Sequence, residues 1–113
     1  PLRLNQWALE GRWTIGAESG TLNDAPGAIG YRFKARDLHL VLGATVRPVR
    51  FRVTIDGKAP GADAGVDAKP VGTGVITEQR LYQLLRQPGP IKDRTFEISF
   101  PTPGAQTYAF TFG

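Results

Sequence analysis

The chain has 113 residues, enough for one domain with a real hydrophobic core and too few for two. Its 41% apolar content is ordinary for a globular domain, and its longest apolar run, "LVLGA", is far below the roughly 18 residues of a spanning helix. Having no cysteine, it can neither do thiol chemistry nor close a disulfide, and its net charge of +4 favours anionic partners without choosing among them.

The N-terminal "PLRLNQW" lacks the apolar region of a signal peptide. A start at Pro1, the lack of methionine and the abrupt end "YAFTFG" predict one domain, residues 1–113, excised from a longer protein. Trp7 and Trp13 lie near the start, outside the clearest patterned segments. The first of those is "IGYRFKA", which sets Ile29, Tyr31 and Phe33 opposite Gly30, Arg32 and Lys34, the period-two alternation of a half-buried strand. "KARDLHLVLG" follows with the chain's lone histidine. It reads as a central strand, with Leu38, Leu40 and Leu42 inward and Arg36, Asp37 and His39 on a polar edge.

"VRFRVTID" alternates most clearly, with Val49, Phe51, Val53 and Ile55 on one face and Arg50, Arg52 and Thr54 on the other. The long "DGKAPGADAGVDAKPVGTG" is irregular, with a short strand expected around Val66. In "RLYQLLRQ", Leu81, Leu84 and Leu85 have helical spacing. Residues 80–87 are nonetheless taken as a strand covered on both sides, because eight residues before "QPGP" make a short helix among strands. "RTFEISF" and "TYAFTF" complete the alternating set, and "NDAPG", "DGKAPG", "KPVGTG", "QPGP" and "PTPG" supply Pro and Gly for turns. Short antiparallel strands at this spacing predict an all-β sandwich or barrel.

His39 invites a catalytic reading with Asp37, but the serines, Ser19 and Ser99, sit in no nucleophile elbow, so it reads as a structural strand histidine. One histidine and no cysteine exclude a conventional zinc site, whereas Asp56, Asp63 and Asp67 are weak candidates for calcium in the long loop. Glu78, Asp93 and Glu97 are the acids for a glycosidase pair, although Glu97 is expected to neutralise nearby arginines instead. From Arg32 to Arg52 the chain carries six basic residues, including Arg47, against the one acid Asp37. Arg36, Arg50 and Arg52 are therefore candidate ligand contacts. Nucleic acid is not expected, because Tyr31, Phe33 and Phe51 fall on the buried side and leave no stacking platform. Trp7, Trp13 and Tyr82, outside the clearest core alternation, are candidates to stack on a sugar, although in a small domain both tryptophans are expected first to fill the core.

Several long strings resemble one family. "NQWALEGRW", "YRFKARDLHLVLG", "PVRFRVTIDGKAPGADAGVDA", "RLYQLLRQPGPIKDRTFEISF" and "TYAFTFG" resemble the thioredoxin-like C-terminal domain. That domain follows a thioredoxin or redoxin fold in bacterial DipZ-type cytochrome c biogenesis and thiol–disulfide oxidoreductase proteins. The resemblance implies a jelly-roll-like β-sandwich similar to carbohydrate-binding modules, with the reactive cysteines on the preceding redox domain. It further implies a non-catalytic accessory module that uses no cofactor and does not itself touch a membrane. Such a module would dock on the thioredoxin-fold domain of its parent or on a protein substrate, or tether the parent to cell-wall glycan. An extracytoplasmic location follows for DipZ-type parents and a cytoplasmic one for soluble parents.

Overall fold

The computed structural model describes residues 2–46 and 48–113, so Arg47 lies outside the described residues. Eight antiparallel strands form: β1 (Trp7–Ile15), β2 (Gly20–Phe33), β3 (Asp37–Ala44), β4 (Val49–Ile55), β5 (Thr73–Ile76), β6 (Arg80–Arg86), β7 (Arg94–Phe100) and β8 (Ala105–Phe112). They join edge to edge in the order β5-β4-β7-β2-β8-β3-β6, with β1 alongside β2.

This one ladder folds back on itself because β2 serves two sheets. Its C-terminal half, Gly27–Phe33, pairs with β7, whereas Gly20 and Thr21 pair with β8. Between the halves lies Pro26, which has no N–H for the ladder. There the pairing to β1 jumps from Ala28↔Glu10 to Asp24↔Arg12, with Gly11 opposite the bend. Gly11 has φ +99, and a Cβ there would sit 2.8 Å from the Pro26 carbonyl oxygen, so the close approach requires glycine. "NDAPG" is therefore a bend inside a 14-residue strand and not the turn its composition suggested.

The alternation read from sequence is the core in β3, β4 and β7, but not in β8, where Tyr108 and Phe110 are half-buried and Phe112 is 42% exposed. Val49, Phe51, Val53 and Ile55 of β4 are buried, as are Phe96, Ile98 and Phe100 of β7 and Leu38, Leu40 and Leu42 of β3. Burying each such side chain contributes about 1.5–3 kcal/mol. Rings meet across the two sheets: Phe51 packs edge-on to Tyr82 at 6.5 Å between centroids, and Phe96 edge-on to Phe110 at 6.0 Å. The architecture is a curled sheet closed into a sandwich, as expected.

Residues Arg80–Arg86 form a strand, so leucine spacing yields to the ladder with β3. Tyr82, Leu84 and Leu85 are all buried, a non-alternating pattern that coincides with a register shift between Leu38 and His39. No strand forms around Val66, which is exposed; the segment instead makes a short 3-10 turn (Gly61–Asp63) and lies along β6. There Gly65 N–H donates to the Leu84 carbonyl at 2.9 Å and Asp67 N–H to that of Gln83 at 3.0 Å. The loop thus covers part of an edge that would otherwise invite foreign strands. β5, inside "VGTGVIT", is a strand that its glycines and its four-residue length concealed.

Candidate functional site

The two tryptophans of β1 meet in one cleft. Trp7, Leu9, Trp13 and Ile15 project from the same side of β1, toward Tyr31 of β2 and the Thr107–Phe110 stretch of β8. Ile29, Leu40 and Phe110 line the space from the core, and the β1–β2 connection, Gly16–Ser19, contributes Glu18 and Ser19. The cleft has a volume of about 290 Å³, near the lower end for small-molecule sites.

Its rings are held to different degrees. Trp13 is half-buried: its indole N–H donates to the Glu10 carbonyl at 2.8 Å and its ring packs edge-on to Phe100 at 6.1 Å. Tyr31 lies 4.8 Å from Phe110 and 5.5 Å from Phe112, and its hydroxyl donates to Asn5 Oδ1 at 3.4 Å. Tyr108 donates to Gln79 Oε1 at 3.0 Å. Trp7 is 58% exposed, and its indole N–H makes no hydrogen bond among the described residues. A fixed ring and an open ring, with Ser19, Thr107 and Glu18 nearby, form a surface that can stack on the apolar face of a ring-shaped ligand and bond its hydroxyls.

The other residues singled out in the sequence do not converge there. Tyr82, expected as an exposed platform, is 1% exposed. Its hydroxyl donates to the Glu78 carbonyl at 2.7 Å and accepts from Thr77 N–H at 3.1 Å, closing the turn that leads into β6. Arg36 binds Asp37 through two hydrogen bonds, Nε to Oδ1 at 3.0 Å and Nη2 to Oδ2 at 2.9 Å. That contact holds the Asp37 carboxyl below the usual carboxylate range, and Asp37 is buried, not the edge residue expected. Arg50 and Arg52 line a separate groove on the outer face of β4.

Two of the three aspartates proposed for calcium are spent otherwise. Asp56 accepts from Thr95 N–H at 2.8 Å and from Arg94 Nε, and lies 3.9 Å from Arg32. Burial pushes its carboxyl up, but these donors outweigh that and leave it below the ordinary value. Asp67 behaves alike, with burial outweighed by Arg80 and the Gln83 N–H. No group of three or more potential metal ligands occurs among the described residues, so Asp56, Asp63 and Asp67 form no shared site.

His39 is half-buried on β3, with its side chain on the side away from the three core leucines. Ser99 lies on β7 in the facing sheet, where its hydroxyl donates to the Arg52 carbonyl at 3.4 Å, and Ser19 lies in the β1–β2 connection. The Asp-x-His pair therefore has no serine beside it. Of the paired-acid candidates, Glu78 contacts Arg80 at 3.7 Å, and none of Glu78, Asp93 and Glu97 lines the aromatic cleft.

A family model described as the thioredoxin-like C-terminal domain matches residues 1–113. The chain belongs to that family. It is 29% identical over 112 residues to Protein DipZ of Mycobacterium bovis and, to the same extent, to Protein DipZ of Mycobacterium tuberculosis. In each case the match covers 99% of this chain and 14% of the relative, so the domain corresponds to a small part of those proteins. Among solved structures, a family two carbohydrate esterase from Cellvibrio japonicus is similar, with TM-score 0.68 and 15% identity. That match covers 92% of this chain and 29% of the esterase, and at this identity it speaks to the fold alone. No helix among the described residues is long and apolar enough to cross a membrane.

Proposed function

We propose that this domain is a non-catalytic binding module serving a thioredoxin-type thiol–disulfide oxidoreductase, and that its aromatic cleft takes a glycan. The observation that carries the reading is the convergence of Trp7 and Trp13, six residues apart on β1, on one cleft beside Tyr31 and Tyr108. The domain has no cysteine and supplies no thiol chemistry itself, so on this reading the reactive thiols belong to other parts of the parent chain. Bound to cell-wall glycan outside the cytoplasm, it would hold that redox centre near its substrates.

Titration of cell-wall oligosaccharides against intrinsic fluorescence tests this. Trp7→Ala removes the open ring from an exposed position, so the fold should persist while affinity drops roughly tenfold, the equivalent of about 1.4 kcal/mol. Unchanged fluorescence at millimolar sugar would remove the glycan from the proposal. Amide shifts in the cleft on adding the parent's thioredoxin-fold domain would then assign the same rings to docking on that domain.

A further inference from the structure

We propose a second site, independent of the aromatic cleft: the groove on the outer face of β4, β5 and β7 binds an extended acidic segment of a partner protein. The groove has a volume of about 740 Å³. Arg50 and Arg52 stand at alternate exposed positions of β4, so they leave the sheet about 6.8 Å apart. Lys69 brings a third cation from the long loop, and no acidic residue lines the groove. Among the described residues, no ion pair engages any of the three. Glu97 lies one step further along, opposite Thr54 where Ser99 is opposite Arg52, and it forms no such pair either. Arginines that would otherwise repel one another across this face gain from an anion between them.

The chemistry of the walls selects the kind of anion. The aromatic residues beside the groove, Phe51 and Phe100, turn their rings into the core and are 2% and 0% exposed, so neither a sugar ring nor a base finds a stacking platform. The accessible apolar contacts are aliphatic, Val75 of the edge strand β5 with Pro26 and Pro101. An extended peptide presents every second side chain on one face at about 6.8 Å, the spacing of Arg50 and Arg52. Glutamate or aspartate at alternate positions would therefore meet both arginines, with aliphatic side chains against Val75 and the prolines. The hydroxyls of Thr73 and Ser99 lie in the same groove.

The test uses the labelled 113-residue chain and a synthetic peptide alternating glutamate with valine, against a control with glutamine for glutamate. The glutamate peptide should shift amides in β4, β5 and β7 and weaken as salt rises, and the glutamine peptide should not. Arg50→Glu with Arg52→Glu should reduce affinity at least about tenfold, while Trp7→Ala leaves it unchanged. Should that double variant lose its folded spectrum, Arg50→Gln with Arg52→Gln serves the same comparison. Equal binding of the glutamine peptide, or no shift at millimolar glutamate peptide, overturns the proposal. So does tighter occupation of the groove by a sulfated oligosaccharide or single-stranded DNA than by the peptide.

Discussion

Asp67 offers a sharp test of how the long loop is held, because the sequence marks it as a cation ligand and the structure as a lock. Its Oδ2 accepts from Gln83 N–H at 2.7 Å and from Arg80 Nη1 at 3.2 Å, while Oδ1 accepts from Arg80 Nη2 at 2.8 Å. A carboxylate bonded to a backbone N–H is worth about 1.5–3 kcal/mol. The arginine contact, with its guanidinium side chain 40% exposed, adds no more than about 1 kcal/mol after solvent screening. Asp67→Ala should therefore cost about 1.5–4 kcal/mol in all. At about 4–5 °C per kcal/mol for a domain of this size, Tm should fall by about 6–20 °C. Calorimetry with and without calcium measures it, and Asp67→Asn, which keeps an acceptor for the Gln83 N–H, should lose about half as much. A loss below about 0.5 kcal/mol would refute the lock. A calcium-dependent rise in the wild-type Tm that Asp67→Ala abolishes would restore the ligand reading.

Asp37, Asp56 and Asp67 all titrate below the ordinary value of 3.8 in the folded chain, so the unfolded chain binds protons first as pH falls. Their contribution should be complete above about pH 5 and drain away through pH 4 and below; urea midpoints that do not change between neutral pH and about pH 3 would contradict it. Tyr82→Phe keeps the ring packed on Phe51 but leaves the Glu78 carbonyl and the Thr77 N–H without the hydroxyl. It should cost about 1–3 kcal/mol in chemical denaturation, and no loss would mean that water replaces the hydroxyl. Gly11→Ala forces a Cβ against Pro26 at a φ of +99, so it should destabilise by more than about 1 kcal/mol. Because Gly11 lies between Trp7 and Trp13 on β1, it should also change acrylamide quenching of the two rings, and an unaltered quenching curve would separate the bend from the cleft.

Much of the fold was legible because period-two alternation and burial are the same fact in β4 and β7. What was concealed has specific physical causes. β5 has glycine at Gly74, and a Cβ there would collide with the Phe51 ring, so close packing imposed the residue that made the strand look like a loop. "NDAPG" carries turn chemistry, yet the chain needs it to bend one strand between two sheets. Tyr82 was hidden because both faces of "RLYQLLRQ" carry apolar residues; the burial in fact alternates through Tyr82, Gln83 and Leu84, and the register shift against β3 breaks the period only at Leu85. The pairing of Trp7 with Trp13 was only half visible. Both were read as candidate platforms, but their meeting depends on β1 following β2 around the bend, and no local pattern encodes that. Nothing in the composition separated Arg36 from Arg50 and Arg52 either; the adjacent Asp37 was the available signal.

The same bend explains why the candidate cleft lies where it does. β2 gives its C-terminal half to β7 and its first residues to β8, so the two sheets diverge on the side where β1 runs. β1 spans both halves of β2, pairing Trp7 with Tyr31 on one side of the bend and Trp13 with Leu22 on the other. A strand committed to one sheet would have packed both tryptophans alike. Here Trp13 reaches Phe100 and becomes part of the wall, while Trp7, opposite the half-buried Tyr31, stays open to solvent. The basic groove is built mainly from the outer face of β4 with its neighbours β5 and β7, and it meets this arrangement only at Pro26 of the bend and at Phe100, on which Trp13 packs. A ligand in the cleft and an acidic segment in the groove would therefore bind at sites that share no lining residue.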